Sequence, residues 1–187
     1  MDGRKFHPYS LKLTKLFEGD KREVQIISKG ISGECVYQEM TTRLPKILKE
    51  DPPFNLIIIL GGTNDLSHLS HAKSTDLFMQ IKTLHEIGHS YGAQTCAVTI
   101  PQTAFDMLPT SGEYVNYREE VNSKIREFVA DTSDKVCLCD MSVNLPLYGI
   151  SNEEMQTNWD DELHLTPQGY NRMAEIIYES LNCFLSK

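Results

Sequence analysis

Nowhere in the 187 residues does an apolar run approach the roughly 18 residues that a membrane-spanning helix needs, so no such span is expected. Met1-Asp2-Gly3-Arg4-Lys5 is followed by no apolar h-region, which excludes the pattern of a secretory leader and makes a cytoplasmic location the expectation. Basic residues are outnumbered, 18 against 26 acidic, and the net charge of -8 is spread without a run of one sign. That balance argues against nucleic acid and anionic membrane as partners, and a neutral or cationic small molecule fits better. Cysteine is sparse and odd in number, five in all, at positions 35, 96, 137, 139 and 183, so a disulfide framework is not expected and free thiols in a reducing compartment are. No repeat, low-complexity tract or linker divides the chain; residues 1–187 read as one domain with a single core.

What the chain does contain is alternation. Leu56 to Leu60 is an apolar run bracketed by Pro52-Pro53 and Gly61-Gly62, too short for a buried helix, and reads as a strand buried on both faces and central in a sheet. Before it, Pro8 to Phe17 has helical spacing, Val24 to Ile27 reads as a strand, and Val36, Met40, Leu44, Ile47 and Leu48 stripe a second helix. After it come a helix capped by Ser74 or Thr75 and ending near Gly92, a strand from Thr95 to Ile100, a loop over 102–112, and a helix carrying Tyr114 to Val129. Val136 to Cys139 is a fourth strand, and Thr166-Pro167 opens a last helix. A helix followed by four strand-and-helix units predicts a parallel sheet with helices on both faces, an α/β/α sandwich whose carboxyl edge binds ligands.

Three segments deliver polar groups to that edge. Asp161-Glu162-Leu163-His164 places a carboxylate and an imidazole in one turn, so that Asp161 can hold one ring nitrogen and leave the other as a general base; an ordinary solvated turn has the same composition. Asn64 follows the buried strand and can offer its amide to an oxyanion, or merely close the strand with an Asx turn. Gly33, in Gly30-Ile31-Ser32-Gly33, can offer a backbone N–H, or only supply a positive φ.

Gly30-Ile31-Ser32-Gly33 with Arg43-Leu44, Gly61-Gly62-Thr63-Asn64-Asp65, and Asp161-Glu162-Leu163-His164 followed by Thr166-Pro167-Gln168-Gly169-Tyr170 resemble blocks II, III and V of the SGNH (GDSL) hydrolases, in order and over nearly the whole chain. The resemblance implies a flavodoxin-like three-layer α/β/α sandwich that cleaves carboxylic esters of a small-molecule substrate through a serine, without a cofactor. It also implies roles: Gly33 and Asn64 as oxyanion donors, His164 as base, Asp161 as its orienting partner. The family's block I, a Gly-Asp-Ser-Leu-like segment at the end of the first strand, has no counterpart, and Gly3 to Leu13 looks like the loop and helix that follow it. The first strand is therefore expected to be absent and the nucleophile to lie upstream of Met1, making the domain N-terminally incomplete. The alternative is a catalytically silent member that binds a ligand or a partner. Of the serines present, Ser10 falls in a helix, Ser28 ends a strand, and Ser32 alone lies near the oxyanion segment.

A second pattern competes. His85-Glu86-Ile87-Gly88-His89 satisfies H-E-x-x-H, which on a helix brings two imidazoles to one face for zinc with Glu86 as base. It falls in the last turn of its helix, at the sheet end opposite the proposed site and without an evident third ligand, so no metal is expected. His68 and His71 read as loop residues at the pocket mouth, and Trp159 as either a wall of the acyl pocket or a buried anchor.

Overall fold

The computed structural model describes residues 7–50, 53–67, 74–108 and 111–185. Three of the expected strands form: β1 (Leu56–Ile59), β2 (Gln94–Val98) and β3 (Val136–Cys139), parallel and in the order β1-β2-β3. Ile57 pairs Thr95 and Thr95 pairs Val136; Ile58 pairs Cys96 and Cys96 pairs Cys137. Because side chains alternate along a strand, this register sorts the sheet into two apolar faces.

One face carries Cys96, Val98, Cys137 and Cys139 and is covered by Leu13 and Phe17 of α1 (Tyr9–Gly19) and by Met173, Ala174, Ile176 and Ile177 of α8 (Pro167–Ser180). The other carries Ile59, Ala97 and Val136 and is covered by Leu77, Ile81 and Leu84 of α4 (Ser74–Ser90) and by Val121, Ile125 and Val129 of α5 (Ser111–Asp131). The result is the three-layer arrangement. All five cysteines are free thiols, and Cys96, Cys137 and Cys139 are core residues. No helix of the described residues is long and apolar enough to cross a membrane.

Two expectations fail together. Leu56 to Leu60 is an edge strand among the described residues, not a central one; β2 holds the centre and is buried from Thr95 to Val98, whereas only Ile59 of β1 is fully buried. Val24 to Ile27 joins no ladder, and Val24 is 41 % exposed. A strand exists only with a neighbour to accept its hydrogen bonds, and no described strand lies on the outer side of β1 to link the two segments.

The stripe expected from Val36 is helical only from α2 (Thr41–Glu50). Val36–Met40 is a π-type turn in which Tyr37 (ψ 123) and Gln38 (φ 64) leave the helical region. The loops after β2 and β3 also hold short helices: a 3-10 turn at Ala104–Met107, α6 (Met141–Asn144) and α7 (Asn152–Asn158). A further short helix after β1, α3 (Thr63–Ser67), carries Asn64, and α9 (Asn182–Leu185) ends the described chain.

Candidate active site

The backbone leaves β1 through Gly61-Gly62. Gly62 has φ +114, and a Cβ built there would stand 2.5 Å from Ile100 Cδ1, so only glycine lets the loop after β1 lie against the loop after β2. Asn64 then donates from Nδ2 to the Glu34 carbonyl at 2.9 Å; an amide nitrogen has two hydrogens, and this bond fixes the direction of the other. The contact ties Asn64 to the residue that follows Gly33, whose φ of +79 is the positive value expected of it. Asp65, only 6 % exposed, accepts the Val36 N–H at 2.9 Å and the Tyr37 N–H at 3.0 Å. Those bonds are the physical reason the helix stripe starts late: the N–H groups of that turn point at a carboxylate instead of up a helix. Arg43 grips the Glu34 carboxylate through Nε, at 2.5 Å, and Nη2, and that bond raises the guanidinium pKa further. The roles of Asp65 and Glu34 leave no periodic trace in sequence, since each acts across a gap of about thirty residues or through a backbone carbonyl.

Asp161 and His164 do meet. His164 Nδ1 lies 2.9 Å from both carboxylate oxygens, and Asp161 Oδ1 also accepts the backbone N–H groups of His164 at 2.7 Å and Leu163 at 3.2 Å. An ionised carboxylate only accepts, so Nδ1 presents its N–H to Asp161. Between the two, Glu162 has φ +58, a left-handed conformation unfavourable for a residue with a Cβ. The turn is closed below by the Trp159–Leu165 bridge and by Asp160 N–H to the His164 carbonyl at 2.8 Å. Thr166 caps α8 by accepting the Gly169 N–H at 3.0 Å, and Gly169 packs so closely that a Cβ there would lie 2.0 Å from the Asn158 carbonyl oxygen. The pair thus stands in the turn just before the N-cap of a core helix.

The loop after β2 joins the two halves. It touches Gly62 at Ile100, and its Ala104 N–H donates to the Glu162 carbonyl at 2.8 Å. Gln102 Oε1 accepts the Leu147 and Tyr148 N–H groups at 2.9 and 3.1 Å, binding this loop to the one after β3. Asp140, just past β3, receives Thr99 Oγ1 at 2.9 Å and Arg126 Nε at 2.8 Å. Burial alone would raise its pKa, but these bonds hold it below the usual carboxylate value.

The competing motif resolves differently. His85 Nδ1 and His89 Nε2 lie 2.7 and 3.0 Å from one hydroxyl, Thr95 Oγ1, at the amino end of β2, while Glu86 faces out and pairs Lys82 at 3.6 Å. Burial, then the neighbouring His89, lowers the His85 pKa to about 3. Ser28 Oγ donates to Ser10 Oγ at 3.1 Å, Ser32 is exposed in its turn, and Trp159 is a buried anchor whose Nε1–H donates to the Pro146 carbonyl at 3.2 Å. His68 and His71 lie outside the described residues.

The family model of the GDSL-like lipase/acylhydrolase family matches residues 2–172. A search of curated proteins finds no significant match. Among solved structures, a member of the lipolytic protein G-D-S-L family from Veillonella parvula superposes with TM-score 0.72 at 20 % identity, covering 92 % of this chain and 88 % of that one. The psychrotrophic esterase EstA from Pseudoalteromonas sp. gives 0.66 at 17 %, over 97 % and 89 %, and Est24, a carbohydrate acetylesterase from Sinorhizobium meliloti, gives 0.69 at 18 %, over 94 % and 84 %. With its alternating order, its three-layer fold and a match that spans nearly its whole length, the chain belongs to the GDSL-like lipase/acylhydrolase family.

Proposed function

We propose that this chain supplies the base, its orienting carboxylate and the oxyanion donors of a carboxylic-ester hydrolase, and that the nucleophilic serine is carried by a segment upstream of Met1. A serine Oγ attacks the ester carbonyl carbon while His164 Nε2 takes its proton; the oxyanion is held by the Gly33 N–H and the second hydrogen of Asn64 Nδ2. Collapse breaks the carbon–oxygen bond of the alcohol, which receives the proton from His164. Water, deprotonated by the same nitrogen, then releases the acid and restores the serine. The observation that carries this reading is the Asp161–His164 pair, in which the carboxylate meets Nδ1 with both oxygens at 2.9 Å and so orients the imidazole.

Two further features favour an upstream segment. The outer side of β1 has no partner strand among the described residues, so its backbone groups there are open to pairing. The amino end of α1 lies near the amino end of α8, the helix that follows His164, with His7 Nε2 3.0 Å from Asn171 Oδ1. The substrate is a small-molecule ester, without a cofactor or nucleic acid, and the chain is one domain in a reducing, cytoplasmic setting. A ligand-binding protein without turnover is the second reading, favoured by the Ser10–Ser28 bond, which engages two of the candidate hydroxyls with each other. Turnover of a p-nitrophenyl ester by a form carrying the upstream segment, lost in His164→Ala, supports the hydrolase; an inactive long form supports the binding protein.

A further inference from the structure

We infer that Arg118, far from the dyad in sequence and in a different layer, is a positioning residue for it, acting through Asp106 and the Ala104 N–H. Its catalytic consequence rests on the hydrolase reading above; its structural content does not. Arg118 projects from α5 and is 1 % exposed, the largest fully buried side chain among those described. Its Nε and Nη2 donate to Asp106 Oδ1 at 2.9 and 2.6 Å, and Nη1 lies 2.9 Å from Glu119 Oε1. Asp106 uses its other oxygen, Oδ2, to accept the Thr103 N–H at 2.8 Å, while Thr103 Oγ1 accepts the Phe105 N–H at 3.3 Å: a capping box closed on a four-residue 3-10 turn. A turn so short does not hold itself. The buried guanidinium holds it, at the cost of desolvating a charge, which is the kind of outlay that a site needing fixed geometry justifies.

The turn's first N–H, that of Ala104, is one that no turn of its own can satisfy, and it donates to the Glu162 carbonyl at 2.8 Å. Glu162 is the left-handed residue between Asp161 and His164, so the bond from Ala104 offsets the cost of a conformation that brings the imidazole back over the carboxylate. Remove the grip on Asp106 and the turn loosens; the Ala104 N–H then leaves Glu162, and the dyad samples other shapes.

Ala104→Pro cuts only the final link. The position is the first of its turn and the preceding Thr103 is extended (φ -146, ψ 174), which suits a proline on both counts. The readout is the ring 15N shifts of His164 in the 187-residue chain, which report tautomer without any turnover. Wild type should show the Nδ1–H form. Ala104→Pro and Arg118→Lys should each raise the Nε2–H form severalfold, and combining them should add nothing, since both break one line of contacts. Asp106→Asn cuts the same grip from the other side and serves if Arg118→Lys loses its folded spectrum. Glu162→Gly, which removes the left-handed penalty, should restore the wild-type tautomer in each variant. In a serine-carrying form the same substitutions should lower kcat by roughly tenfold to a hundredfold with KM nearly constant. Unchanged His164 shifts in Ala104→Pro, additive effects, or no rescue by Glu162→Gly would overturn the inference. An unaltered set of tautomer results with no esterase in the long form would instead leave the brace standing and remove the hydrolase.

Discussion

Asp161 holds His164 twice, accepting its backbone N–H at 2.7 Å and its imidazole Nδ1–H at 2.9 Å, so one carboxylate both shapes the turn and orients the imidazole. The solvated-turn reading of Asp161-Glu162-Leu163-His164 and the catalytic one therefore describe the same hydrogen bonds.

His164→Ala should leave the fold intact, because the side chain is 48 % exposed and away from both cores; its effect on unfolding free energy should stay within about 0.5 kcal/mol. In a serine-carrying form it should remove about a millionfold of kcat, and Asp161→Asn less, about ten-thousandfold, since the amide still accepts backbone N–H groups but favours the wrong tautomer. Steady-state kinetics on a p-nitrophenyl ester checks both, and wild-type turnover in His164→Ala would dismiss the dyad.

Asn64→Ala in the same form should slow turnover by roughly a hundredfold or more, since one lost oxyanion donor costs about 3 kcal/mol of transition-state stabilisation. KM should stay level. A raised KM with unchanged kcat would make Asn64 a substrate-recognition residue.

Much of this was legible in the residues themselves. The strands β1 to β3, the helices α4, α5 and α8, and the Asp161–His164 hydrogen bond all announce themselves through period, capping residues and a local spacing of three. Val24 to Ile27 has the same apolar character yet forms no strand, because pairing depends on a partner that local pattern does not encode. β1 is less buried than its apolar run implies for the same reason. Asp65, Arg118 and Asp106 carry no pattern at all: each is a single charge that matters through one distant backbone or side-chain partner. His85 and His89 have a motif's spacing, but a threonine on the next strand claims both rings.

Gly169→Ala should destabilise the protein by about 1–3 kcal/mol, the usual cost of overpacking, because the added methyl meets the Asn158 carbonyl and the backbone must move. Urea unfolding followed by circular dichroism measures it. A neutral result would mean that α8 slides freely against the dyad turn.

His85 makes stability pH-dependent. Its pKa falls from 6.5 to about 3 on folding, so between those values the unfolded chain binds the extra proton; this contribution is complete above 6.5 and is lost as pH falls toward 3, at up to about 1.4 kcal/mol per pH unit. His85→Gln should be less stable at neutral pH, having lost the Thr95 bond, yet show a shallower decline below pH 6.5. Parallel curves for the two proteins would mean that His85 does not bear the proton linkage.

The central claim is a hydrolytic site completed from upstream, and labelling with a fluorophosphonate probe, mapped by peptide mass spectrometry alongside the intact mass of the natively produced protein, tests it most directly. The account predicts no label on the 187-residue chain. It predicts stoichiometric label on a serine preceding Met1 in the native protein, abolished by His164→Ala. Stoichiometric label on the 187-residue chain at Ser32 or Ser10 would contradict it.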